Sequence, residues 1–173
     1  MAYINDIRRG LKEIMQKDDK TILLGEDICD PFGGCFKVTR GFTGLFPNRV
    51  INTPISEACI IGVGTGLAMS GYIPIIEIMF YDFMTLCMDQ LVNHALIFNK
   101  IWDDIRVPML IRTVVGKPEY GISHSKNLDF IFNNILELYH PDQKDVYNQL
   151  LAAFNNAKNF GEPVLFVEES KWY

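Results

Sequence analysis

Near the amino terminus, apolar residues recur at Ile4, Ile7, Leu11 and Ile14, spacings of three and four that lay one stripe along an opening helix. TILLGED (21–27) is an unbroken apolar run that stops at Gly25 and reads as a buried strand. From 28 to 49 no period survives, and a connection of that length tends to carry function or cover an interface. Val50 to Asn52 suits a short strand. TPISEACIIGVGTGLAMSG (53–71) then reads as a strand-to-helix turn with Ser56 as N-cap and a helix closing at Gly71. Gly62, Gly64 and Gly66 each cost that helix about 1 kcal/mol relative to Ala. Another backbone is therefore expected close by, within the body of the protein or at a subunit seam.

PIIEIMF (74–80) is strand-like, and DFMTLCMDQLVNHALIFNK (82–100) predicts one long amphipathic helix with Leu86, Gln90, Val92, Ala95 and Leu96 inward. VPMLIRTVVG (107–116) is a further buried strand, GKPEYGISHSKN (116–127) a second irregular segment, and Asn134 to Tyr139 a short strand. After a turn at His140–Pro141, Asp142 is placed to cap a helix that stops near Gly161, and PVLFVEE (163–169) is the last strand. Strands apolar on both faces, alternating with helices, predict an α/β three-layer sandwich with a mostly parallel sheet in one domain, 1–173. Ligands of such sheets bind beyond the carboxyl ends of the strands. The loops at 28–49, 53–57 and 116–125 are expected to share that edge with residues 80–83. Periodicity does not set the strand order.

Composition narrows the function classes. The net charge of -5 comes without any Lys/Arg cluster, which argues against nucleic acid. Cys29, Cys35, Cys59 and Cys87 show no CxxC spacing, and His94, His124 and His140 complete no zinc pattern, so no metal ligand set is expected. With no signal-peptide core and no long uncharged apolar window, the expected setting is the cytoplasm or an organelle matrix, away from the membrane. GVGTG (62–66) falls inside a helix instead of the turn before it, a poor dinucleotide fingerprint, and neither a P-loop nor HExxH nor GxSxG occurs.

The ordered series LLGEDICDPFGGCFKVTRGF, TPISEACIIGVGTGLAMSG, PIIEIMFYDFMTLCMDQLVNHA, VPMLIRTVVG, YGISHSKNL and EPVLFVEESKWY resembles one family along nearly the whole chain. That family is the beta subunit of the thiamine-diphosphate-dependent decarboxylating component of 2-oxo acid dehydrogenase complexes, whose matching region is the pyrimidine-binding domain of the transketolase-like superfamily. The resemblance implies that Glu57, in ISEA, hydrogen-bonds the aminopyrimidine ring of thiamine diphosphate, so that the cofactor's own nitrogen takes the thiazolium proton. It implies that Phe83 packs on that ring, and that Ile55 and Asp82 line it. His124 is similar to a residue that steadies intermediates and helps pass the acyl group to a lipoyl arm.

Each residue has a plainer reading: a first-turn glutamate favoured by the helix dipole, a core phenylalanine, a surface histidine capping the next helix. His94, mid-helix, is expected to be structural.

Three absences complete the expectation. No GDG motif occurs, so the diphosphate and its magnesium are assigned to a partner alpha subunit. The family's carboxyl-terminal transketolase-type domain is not found in 1–173. NNAKNFGEP lacks the acidic residue expected beside a potassium ion, which counts against potassium. The implied activity is oxidative decarboxylation of a 2-oxo acid, pyruvate foremost, with acyl transfer to the lipoyl-bearing acyltransferase of a complex. The assembly would be a dimer or heterotetramer, inactive as the single chain. Acetoin cleavage by the same cofactor, or a non-catalytic assembly or regulatory domain keeping the fold, are the alternatives.

Overall fold

The computed structural model describes residues 2–173. Its strands are β1 (Thr21–Gly25), β2 (Val50–Asn52), β3 (Ile73–Ile78), β4 (Met109–Val115), β5 (Glu137–Tyr139) and β6 (Pro163–Glu169). They form one six-stranded sheet in the order β2-β1-β3-β4-β6-β5, parallel at every pairing. The helices are α1 (Ala2–Lys17), α2 (Phe42–Leu45), α3 (Glu57–Met69), α4 (Phe98–Ile101), α5 (Asp129–Phe132) and α6 (Val146–Phe160). Among the described residues no helix is long and apolar enough to cross a membrane.

The register explains why these strands are apolar on both faces. Leu23, Ile75, Leu110 and Val164 lie side by side across the sheet and meet Ile7 and Leu11 of α1 and Leu150 and Phe154 of α6. Their neighbours Leu24, Ile76, Ile111 and Leu165 point the other way. They pack with Ile60, Ile61 and Ala68 of α3 and with Tyr81, Met84, Cys87 and Leu91. Two apolar cores, one on each face, make the three layers.

Gly64 is what lets α3 lie so close. A Cβ there would overlap the Ile76 side chain of β3. The glycines that weaken the helix in isolation are thus partly offset by contact with the sheet, through side chains rather than the second backbone their density suggests.

Connectivity reverses direction between β1 and β3. The chain leaves β1 for the edge strand β2, then returns through α3 to β3 on the other flank of β1. A crevice opens at such a reversal beyond the strand ends, where open parallel sheets bind ligands.

The structure departs from the expected elements in four places. The single helix over 82–100 is instead a 3₁₀ helix (Tyr81–Cys87), a π helix (Gln90–Ala95) and the short α4. Three residues per turn lines up Tyr81, Met84 and Cys87, all buried, whereas Leu86, expected inward, is 57 % exposed. The strand expected over 134–139 keeps only β5, and α5 precedes it. The cap of α6 falls at Asp145, since the Asp142 carboxylate instead accepts the Lys144 amide at 2.7 Å. Ser56 does occupy the position before α3, but its side chain makes no capping bond.

Candidate functional site

Alternation along β1 places Glu26 on the same side as Leu24, facing the α3 layer. Glu57 begins α3, entered from β2 through Thr53–Ser56. Both carboxyls are buried, Glu26 at 9 % and Glu57 at 8 % exposure. Burial, followed by the charges of Glu57 and Asp27, raises the Glu26 carboxyl above the usual carboxylate range, with the Ser56 backbone amide partly opposing. Glu26 Oε1 has no hydrogen-bond partner. The Cys87 thiol, at the end of the 3₁₀ helix, is pushed up to about 12 by burial and then by Glu57 and Glu26.

The second grouping lies beyond β3 and β4. Phe83 and His124 meet edge to face, with ring centroids 5.3 Å apart. Phe80 contacts both, at 5.9 Å from Phe83 and 4.8 Å from His124. His124 is carried by the chain that follows β4, and its Nδ1 lies 3.0 Å from Ser123 Oγ. Asp82 is turned to the same segment: its Oδ2 accepts the Lys126 amide at 3.2 Å, and Lys126 Nζ lies 3.8 Å from Oδ1.

The 3₁₀ helix joins the two groupings, because Cys87 feels the acid pair while its Sγ reaches the Phe83 carbonyl at 3.9 Å. Of the residues singled out from sequence, Phe83, Asp82 and His124 come together and Glu57 pairs with Glu26. Ile55 joins neither, standing 85 % exposed on the turn before α3. His94 packs edge-on to Phe98 within the π helix and its neighbour, away from both groupings.

Glu26, Phe80 and Cys87 were not singled out. Glu26 directly follows the glycine that ends a fully buried strand, where an acid reads simply as the strand's end. Phe80 falls in the 80–83 stretch expected at the binding edge, whereas Cys87 shows only the apolar pattern of core residues.

Behind the site, on the α1/α6 face, Arg112 of β4 is fully buried and forks onto Glu168 of β6, Nε to Oε1 at 2.7 Å and Nη2 to Oε2 at 3.0 Å. Its Nη1 reaches Glu77 of β3 at 2.8 Å, and Tyr173 hydroxyl donates to Glu168. Burial pulls the guanidinium toward neutrality, and the carboxylates of Glu168 and Glu77 overcome it and hold it charged.

This end-to-end arrangement has relatives. Residues 1–169 match the family model for the transketolase pyrimidine-binding domain. The chain belongs to the transketolase pyrimidine-binding domain family. It is 35 % identical over its full length to the 2-oxoisovalerate dehydrogenase subunit beta of Bacillus subtilis strain 168, covering 53 % of that protein. It is 36 % identical, again over its full length, to the pyruvate dehydrogenase E1 component subunit beta of Leifsonia xyli subsp. xyli, of which it covers 52 %. Against the acetoin:2,6-dichlorophenolindophenol oxidoreductase subunit beta of Cupriavidus necator, identity is 32 % over 96 % of the chain and 52 % of that protein. The chain thus spans about half the length of these relatives. A solved split-gene transketolase, described as an inactive beta4 tetramer, superposes with a TM-score of 0.72 at 21 % identity over 95 % of this chain and 49 % of its own. That likeness concerns the fold.

The pyrimidine-binding domain is therefore homologous to beta subunits of thiamine-diphosphate-dependent 2-oxo acid dehydrogenases. Its residues fit an aminopyrimidine. The orphaned Glu26 oxygen beside Glu57 leaves hydrogen-bonding capacity turned inward, and Phe83 offers an aromatic face. Nothing in the acid pair suits a diphosphate, whose negative charge two carboxyls would repel.

Proposed function

We propose that this domain supplies the pyrimidine half of a thiamine-diphosphate site in a multi-chain 2-oxo acid dehydrogenase. The observation that carries the reading is the buried Glu26–Glu57 pair at the reversal point of a sheet whose family binds that ring. Bound there, the cofactor supplies the carbanion chemistry of decarboxylation. Glu57 holds a proton at the ring nitrogen, and Glu26, raised by burial and then by the Glu57 charge, sets beside it a second carboxyl that favours its protonated form. Phe83 packs on the ring, and His124 serves acyl transfer to a lipoyl acceptor. Cytoplasm or an organelle matrix is the expected setting.

A partner chain is part of the reading. An alpha-type subunit would hold the diphosphate and magnesium, and a lipoyl-bearing acyltransferase would take the product. The outer face of α3 supports it: Cys59, Val63, Gly66 and Met69 form an exposed, uncharged stripe on a helix that is apolar all round, as expected of a surface covered in an assembly. The substrate belongs to the 2-oxo acids, with pyruvate the expected member. Acetoin is the alternative, because an acetoin-oxidising relative matches about as well as the others.

The test is co-expression with the alpha-type subunit from the same source, supplied with thiamine diphosphate and magnesium. Reduction of an artificial acceptor is followed with pyruvate, branched-chain 2-oxo acids and acetoin. Glu57→Gln should lower turnover by about 10²- to 10⁴-fold, the range of a lost proton-transfer group. Turnover near wild type in that variant would sink the assignment, and the preferred substrate names the complex.

A further inference from the structure

Beyond the cofactor contact, His124 has to be held where an acyl group arrives, and its own segment gives the imidazole one polar contact, Ser123 Oγ at 3.0 Å from Nδ1. The chain from Gly116 to Lys126 contains only a single short 3₁₀ turn, Pro118–Tyr120, and its bonds are local: Gly121 N to Pro118 O at 3.0 Å, His124 N to Gly121 O at 3.0 Å and Ser125 Oγ to Gly121 O at 3.1 Å. Side chains from outside supply the rest of its seat.

Those contacts come from one place, the exit of β3. Phe80 is 6 % exposed, and four aromatic rings converge on it: His124 at 4.8 Å, Phe83 at 5.9 Å, Phe36 at 6.0 Å and Tyr120 at 6.1 Å. Its plane stands 86° to that of His124, the perpendicular arrangement that aromatic quadrupoles favour. Two residues on, Asp82 takes the Lys126 amide at 3.2 Å and faces Lys126 Nζ at 3.8 Å. Its charge is buried at 9 % exposure, where a bond to it counts for more than at the surface. From the other side the segment closes on its own beginning, since a Cβ at Gly116 would overlap the His124 carbonyl oxygen. The histidine is thus gripped between a ring on one flank, a carboxylate two residues downstream, and a glycine that admits its backbone.

We infer that Phe80 and Asp82 are positioning residues: together they seat His124 against Phe83, and so set the geometry of acyl transfer without touching the acyl group. This rests on the proposed role of His124. The expected effect is large for a small displacement, because moving a catalytic group by about 1 Å can cost about a hundredfold in rate.

The seating is read first, on the full chain, by the ring-proton resonances of the three histidines, assigned by replacing each in turn. Phe80→Leu, similar in size but without a ring current, should move the His124 signals while leaving His94 and His140 in place. Phe80→Tyr should restore them. Asp82→Ala should move them too, because it loses both the amide and the ammonium of Lys126. His124 signals unmoved by Phe80→Leu and Asp82→Ala would overturn the inference whatever the reaction.

The consequence is read in the assembled enzyme as the ratio of lipoyl acyl transfer to decarboxylation. Phe80→Leu should lower that ratio about ten- to a hundredfold, and Phe80→Tyr should recover it. If His124→Ala loses transfer while Phe80→Leu and Asp82→Ala keep the wild-type ratio, the positioning role is overturned and the function of His124 stands. If His124→Ala itself keeps full transfer, the functional reading of His124 falls, and the positioning role falls with it.

Discussion

Glu26 sits at the end of a fully buried strand with one oxygen unpartnered, and its environment favours the protonated form, burial first and the Glu57 and Asp27 charges after it. A carboxyl raised in the folded state contributes its full stability in acid and loses it as pH climbs through the folded value. Glu26→Gln never ionises. It should match the wild type in acid and become the more stable of the two as pH rises through the raised range toward neutrality. Melting temperatures of both proteins from about pH 4 to 8, spanning the ordinary carboxylate range and above it, check this. A gap that stays constant with pH would contradict it. Glu57, Phe83, Asp82 and His124 were singled out by the family resemblance, since neither composition nor periodicity marks them, and the fold brings Asp82, Phe83 and His124 together. Glu26 was not, because GED reads as the end of a strand, and the significance of its carboxyl depends on Glu57, thirty-one positions away in sequence and brought near by the fold.

Among the elements, α3 and the 82–100 segment respond differently to reading. The density of glycines in α3 suggested a second backbone close by, but the neighbour of Gly64 is the Ile76 side chain. Gly66, on the outer face, has nothing within 4 Å of where its Cβ would lie. The two sites therefore should behave oppositely in the isolated chain. Gly64→Val should destabilise by about 1–3 kcal/mol through overpacking, whereas Gly66→Ala should stabilise by about 0.5–1 kcal/mol through helix propensity. Urea unfolding measures both, and effects of equal sign would count against this account of the helix. The 82–100 segment misled because two spacings overlap in it. Tyr81, Met84 and Cys87 recur every three residues, Leu91 and Ala95 every four, and a window across both averages to an ordinary α helix. The break between them turns Leu86 outward and brings Cys87 to the acid pair.

At the scale of the whole molecule, the two buried charge clusters lie on opposite faces of the same end of the sheet. The acid pair faces α3, while Arg112 binds Glu168 and Glu77 on the α1/α6 side and ties β3, β4 and β6 together. The sheet and its layers were legible, since strands apolar on both faces and intervening helices admit few other arrangements. Strand order was not, being decided by which strands find each other in space. Nor was the Arg112 cluster, because a lone arginine in an apolar run gives no hint of two partners thirty-five and fifty-six residues away. Arg112→Leu removes the cation and leaves both carboxylates behind, Glu168 with no exposure at all. It should cost about 3–5 kcal/mol, the penalty of a broken buried pair. A denaturation midpoint close to wild type would mean that Glu168 takes up a proton at little cost, and would refute the account.

The contact between Gly116 and the His124 carbonyl also bears on how this protein can diverge. The stretch Lys117–Ser123 leaves β4 and must bring His124 back against Gly116, so the number of residues in it is fixed. Ile122 is exposed and replaceable, whereas Tyr120 packs on Phe80. An insertion or deletion there would carry the histidine away from its seat. Drift in this segment should therefore be seen as exchange of side chains at constant length, with indels accumulating elsewhere on the surface.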